Sequence, residues 1–137
     1  MTATTRPSFD TVEVGDELPA VSYPIQRFDL VRYAGASGDF TPFHYDAGAL
    51  ASAGYDRFFA MGMLVAGRLG ALVAKTFGDD AVRNFSVRFR KRSWVGDDVT
   101  VALEPTDDAA VFDLVATAAG EVIATGRAVV ALGSAED

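Results

Sequence analysis

With 137 residues, half of them hydrophobic and ten of them Phe, the chain has the length and apolar surface for one packed domain but not for two, and general disorder is excluded. Nineteen acidic against twelve basic residues give a net charge of -7, which disfavours nonspecific attraction to nucleic acid or to an anionic membrane. The absence of cysteine removes disulfides, thiolate nucleophiles and thiolate metal sites together and fits a cytoplasmic location.

The N-terminal MTATTRPSFD lacks the charged-then-apolar pattern of an export signal. Residues 1–8 are expected to be a loose arm, 9–133 a single domain and 134–137 a short tail. The segment VEVGDELPAVSYPI, residues 12–25, offers a Gly-Asp turn and then a short extended stretch in which Pro24 limits pairing, so the expected strand lies at or near a sheet edge. In RFDLVRYAGA, residues 27–36, Phe28, Val31 and Leu30 or Tyr33 recur at helical spacing, and Gly35 and Gly38 provide places to stop.

The next stretch, SGDFTPFH at residues 37–44, holds the only histidine of the chain. It should be irregular, because Thr41 precedes a proline and Gly38 permits a sharp turn. From His44 the chain enters YDAGALASAGYDRFF, which reads as a short helix and a loop.

The most apolar run, Phe58 to Phe77, approaches the roughly 20 residues of a membrane span, but Arg68 sits in its middle. A buried helix from about Gly62 to Phe77 is the better reading. Gly67 and Gly70 each cost that helix about 1 kcal/mol of propensity, and are expected to let a neighbouring backbone approach closely. After Gly78-Asp79-Asp80 the pattern changes to alternation, with Phe85, Val87 and Phe89 apolar and Ser86, Arg88 and Arg90 polar. Strands are expected at about 84–94, 98–105, 110–118 and 121–132, joined by turns at residues 96–98, 106–108 and 119–121 short enough for antiparallel hairpins. The fold class is α+β, one long helix packed on an antiparallel sheet.

Asp39 and His44 are residue types that move protons near neutral pH, and a turn between them can bring both side chains to one small volume. For an arbitrary Asp-x4-His the commoner explanation is a pair of turn and cap residues. A metal site of Asp39, His44 and Asp46 has thin support with one imidazole, and Ser37 lacks the surroundings of a nucleophile elbow and suits support of the backbone. The second candidate element is Ala60-Met61-Gly62-Met63 at the entry to the long helix, where free N–H groups and the positive helix end can polarise a carbonyl and Gly62 lets a substrate approach. Gly62, Met61 and Ser37 are therefore the oxyanion or substrate-binding candidates. The third element is the run Arg88, Arg90, Lys91 and Arg92, which is a solvated strand end in its bland reading and a contact for phosphate or an acidic carrier surface in its functional one.

These residues together, YAGASGDFTPFHYD, then AMGM, then VRFRKRSWVGDDV, resemble the MaoC-like, or R-specific enoyl-thioester hydratase, family. Tyr33, Ala34, Ser37, Gly38, Asp39, Pro42, His44 and Asp46 fit its pattern. Thr41 stands in place of the usual Asn, and Met61 in place of a His that commonly precedes the helix-entry glycine. The resemblance implies a hot-dog fold, with the sheet wrapped around the long helix and protomers paired as a homodimer or heterodimer. It implies that Asp39 and His44 hold one water, add it across a trans-2-enoyl thioester of coenzyme A or acyl carrier protein, and remove it from an R-3-hydroxyacyl thioester. It implies no metal and no cofactor, and a place in fatty-acid or related acyl metabolism. Length and the opening VEVGDELP resemble the HadB-like dehydratase subunit of actinobacterial fatty-acid synthesis, whose catalytic subunit pairs with a different hot-dog protein. A noncatalytic thioester-binding subunit and a hot-dog thioesterase are the alternatives.

Overall fold

The computed structural model describes residues 18–131. The arm expected over residues 1–8, the Gly-Asp turn at 15–16 and the tail over 134–137 lie outside the described residues. Five strands form one antiparallel sheet: β1 Ala20–Pro24, β2 Val82–Phe89, β3 Asp98–Pro105, β4 Val111–Ala118 and β5 Glu121–Val130, in the spatial order β1-β3-β4-β5-β2. Helix α1 spans Arg27–Ser37, a short α2 spans Ala47–Ser52, and α3 spans Gly62–Phe77.

The core forms where two periodicities meet. In α3, Leu64, Val65, Leu69, Leu72, Val73 and Phe77 recur at intervals of one turn and are buried, while in β3 and β4 alternate residues are buried. Val99, Val101 and Leu103 of β3 and Phe112, Leu114 and Ala116 of β4 thus face the helix. Phe77 and Phe112 close the far end, their ring centroids 4.6 Å apart. Each of these large side chains contributes about 1.5–3 kcal/mol by leaving water.

Among the described residues β1 pairs with β3 alone and is an edge strand, as its proline suggests. The 106–108 and 119–121 turns do connect hairpin neighbours, β3 with β4 and β4 with β5. The expectation that residues 96–98 turn a β2–β3 hairpin is corrected: β2 pairs with β5 at the other end of the sheet. The expected strand over 84–94 is also shorter, ending at Phe89, because the N–H groups of Arg90 and Lys91 both donate to Ile123 O and break the ladder.

The helix glycines do not admit a neighbouring backbone. A Cβ on Gly70 would meet the Phe85 ring at 3.6 Å, one on Gly62 the Phe89 ring at 3.1 Å, and one on Gly67 nothing within 4 Å. Close backbone approach occurs instead at Gly126 in β5, where a Cβ would fall inside contact distance of the Ser86 carbonyl oxygen in β2. Arg68 lies exposed with its guanidinium 4.6 Å from the Tyr23 ring centroid. Among the described residues no helix is long and apolar enough to cross a membrane.

Candidate active site

The loop after α1 is organised around Asp39. Gly38 ends the helix in the left-handed conformation, with φ of 77°, and its N–H returns to Ala34 O. Ser37 donates its hydroxyl to Tyr33 O at 2.7 Å and accepts the Asp39 N–H at 3.1 Å. Beyond it, Asp39 Oδ1 accepts the Thr41 hydroxyl at 2.7 Å and the Thr41 N–H at 3.2 Å. The Thr41 hydroxyl, then its N–H, hold the Asp39 carboxyl below its ordinary pKa; desolvation opposes them and nearby His44 adds a lesser lowering.

His44 ends the short 3-10 turn Pro42–His44 and is buried. Its Nδ1 lies 2.6 Å from Phe59 O, and the Phe59 ring meets the imidazole edge to face at 5.3 Å. A carbonyl only accepts, so this bond places the hydrogen on Nδ1 and leaves Nε2 of the neutral ring with an open lone pair.

The helix entry supplies the opposite kind of group. Met61, buried, precedes Gly62, the first residue of α3. The Leu64 N–H turns back to Met61 O at 3.1 Å, the N–H groups of Gly62 and Met63 have no carbonyl one turn back within the helix, and the helix dipole makes that end positive. Asp39, His44, Met61, Gly62, Phe89 and Ile123 are among the residues that line one open cleft of about 500 Å³. The arrangement sets two proton-accepting groups, Asp39 and Nε2 of His44, in one cleft with the positive end of α3 at Gly62. This is the complement of a reaction that moves a proton while an oxygen gains negative charge.

Not every residue marked in the sequence comes to this cleft. Ser37 does not line it, because its hydroxyl is occupied by the Tyr33 and Asp39 backbone. Asp46 is turned to α2, where it caps the Gly48 and Ala49 N–H groups at 2.9 and 3.2 Å. The trio Asp39, His44 and Asp46 is therefore not assembled as a metal site. The basic run divides: Lys91 and Arg92 border the cleft, Arg88 lies in a groove on the outer sheet face with Glu104, Asp113 and Arg127, and Arg90 lines both. Lys91 pairs with Glu121 at 2.7 Å, an exposed contact worth about 1 kcal/mol at most. Arg92 stacks over Tyr55 and Phe59, 5.1 and 5.2 Å from their centroids.

Phe59, Phe89 and Ile123 were not marked by the sequence. Phe59 acts through its carbonyl, which carries no residue-type signal, and Ile123 comes from a strand more than 75 residues after His44. For Phe89 the apolar alternation of β2 was the available signal, since it predicts an inward ring without saying which residue it covers.

A five-stranded antiparallel sheet against one long helix, with this cleft at the helix entry, is the hot-dog architecture. Residues 10–126 match the MaoC like domain, and the chain belongs to that family of dehydratase domains. No protein of curated function matches the chain. Among solved structures it is similar to the unliganded R-hydratase PhaJ1 of Pseudomonas aeruginosa, at 26% identity and a TM-score of 0.77, covering 90% of this chain and 83% of that one. It is similar to the (R)-hydratase of A. caviae involved in PHA biosynthesis, at 27% identity and 0.74, over 90% and 98%. The ChsH1-ChsH2 complex of Mycobacterium tuberculosis shares the fold at 20% identity and 0.75, over 90% and 99%.

Proposed function

We propose that this chain is a hydro-lyase that adds water to trans-2-enoyl thioesters and removes it from R-3-hydroxyacyl thioesters. The observation that carries the reading is the meeting of Asp39 and His44 in the cleft that also contains Gly62. One water sits between the Asp39 carboxylate and His44 Nε2. As its oxygen attacks the β-carbon, its proton passes to one of the two groups, and the electron pair of the double bond moves toward the thioester oxygen. The Gly62 N–H and the α3 dipole stabilise that oxygen. The α-carbon then receives a proton from the pair, and dehydration retraces these steps with the roles exchanged.

Arg90, Lys91 and Arg92 at the rim suit a phosphate-bearing handle, either coenzyme A or acyl carrier protein. A second hot-dog subunit, identical or different, is the proposed partner. The outer edge of β2 has no paired strand among the described residues, and Phe85, Phe89 and Met63 beside it are exposed. The pairing of ChsH1 with ChsH2 in their complex supports a heteromeric version, in keeping with the HadB-like resemblance.

Met61 favours a second reading, a noncatalytic thioester-binding subunit, because a buried thioether replaces an imidazole and cannot donate its hydrogen bonds. One assay separates the two. The protein, together with any copurifying hot-dog partner, should hydrate crotonyl or longer enoyl thioesters to the R product without releasing free thiol. Asp39→Asn and His44→Gln should each lower turnover by about 100-fold or more. Unchanged turnover in a folded variant removes that residue from the mechanism, binding without turnover selects the second reading, and thiol release indicates a thioesterase.

A further inference from the structure

Thr41 departs from the family pattern, yet it makes the two hydrogen bonds to the carboxylate of the acid–base pair. Both fall on Oδ1, and Oδ2 accepts none from the described residues. The contacts are local, two residues apart, and form a loop in which Asp39 is held from one side by the Ser37 hydroxyl on its N–H and from the other by Thr41 on its side chain. Pro42 follows directly and restricts the backbone of Thr41 to the extended region, where φ is −56° and ψ 124°. Thr41 is also exposed, so the hydroxyl is not there to fill a core space.

We propose that Thr41 is the positioning residue for Asp39: its hydroxyl fixes Oδ1, so that the carboxylate is presented to the cleft through Oδ2 in one rotamer and in its charged form. An O–H donor to a carboxylate is a charge-assisted bond and favours the ionised state. The charged or titratable groups that face Asp39 are His44 on its own loop and Arg90, Lys91 and Arg92 across the cleft, of which Lys91 is paired with Glu121. None of them is altered by a change at Thr41, which isolates the effect. The kinetic part of this proposal rests on the hydratase reading; the structural part does not.

The test compares Thr41→Val with Thr41→Ser in the full chain with any copurifying partner. Thr41→Val keeps the shape and removes the hydroxyl, and Thr41→Ser returns it. Two readouts are taken: the carbon-13 titration of the Asp39 carboxyl by NMR, assigned with Asp39→Asn, and the pH profile of kcat/KM for enoyl-thioester hydration. A carboxyl held low stays charged as pH falls through the ordinary carboxylate range, so its removal from that state raises its pKa and moves the acid limb of activity to higher pH. Thr41→Val should shift both the titration and the acid limb upward and lower kcat/KM about tenfold, and Thr41→Ser should bring both back toward wild type. The proposal is overturned if the Asp39 titration is the same in Thr41→Val as in wild type, or if Ser behaves as Val does. If the titration responds as expected but the wild-type protein hydrates no thioester, Thr41 keeps its role and the hydratase reading is what fails.

Discussion

Gly62→Ala separates stability from activity at the helix entry. The backbone there is not left-handed, since Gly62 is absent from the positive-φ glycines, so alanine carries no conformational penalty. Its methyl carbon would lie 3.1 to 3.2 Å from three carbons of the Phe89 ring, a few tenths of an ångström too close. Phe89 is 49% exposed at the last position of β2, so the ring can turn outward at little cost. Against that small cost stands the gain from replacing glycine in a helix, up to about 1 kcal/mol and less at the first position. The melting temperature should therefore stay within about 3 °C of wild type. Activity should respond differently, because Gly62 lines the cleft and its N–H is the proposed oxyanion donor, which an added methyl would crowd. If that donor contributes as oxyanion donors do elsewhere, blocking it lowers kcat by about 100-fold. Differential scanning calorimetry and steady-state hydration on the same preparation make the comparison. Wild-type kcat in the alanine variant would refute the oxyanion role of Gly62, and a fall in melting temperature beyond about 5 °C would refute the argument that Phe89 yields.

Two further outcomes test the frame and the rim. Gly126→Ala places its methyl against the Ser86 carbonyl, with the carbonyl carbon 3.2 Å away, and backbone cannot rotate aside as Phe89 can; chemical denaturation should show a loss of about 3 kcal/mol, and a loss under 1 kcal/mol would mean that β2 and β5 part freely. Arg92→Ala, which removes the stack on Tyr55 and Phe59 at the rim, should raise KM for an enoyl thioester about fivefold, whereas Arg88→Ala on the outer sheet face should leave kinetics unchanged; equal effects on KM would restore the basic run as one surface.

What the sequence made legible was whatever repeats along the chain. Helix α3 was readable over its full length because its apolar residues recur every three or four positions, and β3 and β4 because their buried residues alternate. Sheet order was not readable in the same way. The Gly96-Asp97 turn marks a change of direction, yet the strand before it leaves the ladder at Arg90, and the partner of β2 is decided by packing on α3 and by the glycine at position 126 that admits it. The site was readable as far as side-chain type carries chemistry, which covers Asp39, His44 and the helix-entry glycine. Ser37 shows the limit, since a hydroxyl near an aspartate reads alike whether it faces substrate or its own backbone. The Arg88–Arg92 run shows it again: strand alternation and the break at Arg90 send its members to different faces.

The cleft depends on a segment with no catalytic side chain at all. Phe58, Phe59 and Ala60 lie between α2 and α3, and each uses its backbone to fasten a different part of the site. Phe59 O receives His44 Nδ1, Ala60 N–H donates to Ser93 O at 2.8 Å, and Val95 N–H donates to Phe58 O at 2.9 Å, around an isolated bridge between Phe59 and Trp94. The next residue is Met61, the cap of α3. Four residues thus join the acid–base loop, the basic rim and the helix entry, with the Phe59, Tyr55 and Trp94 rings packed edge to face or tilted at centroid distances of 5.4 to 6.1 Å to stiffen the junction. The orientation of His44 is consequently tied to the same short stretch that leads into Gly62, so in the proposed mechanism one segment holds both the imidazole and the helix-entry N–H. That coupling is why the imidazole needs no carboxylate behind it: a backbone carbonyl in a rigid aromatic cluster fixes its tautomer, and Asp39 is left to face the cleft.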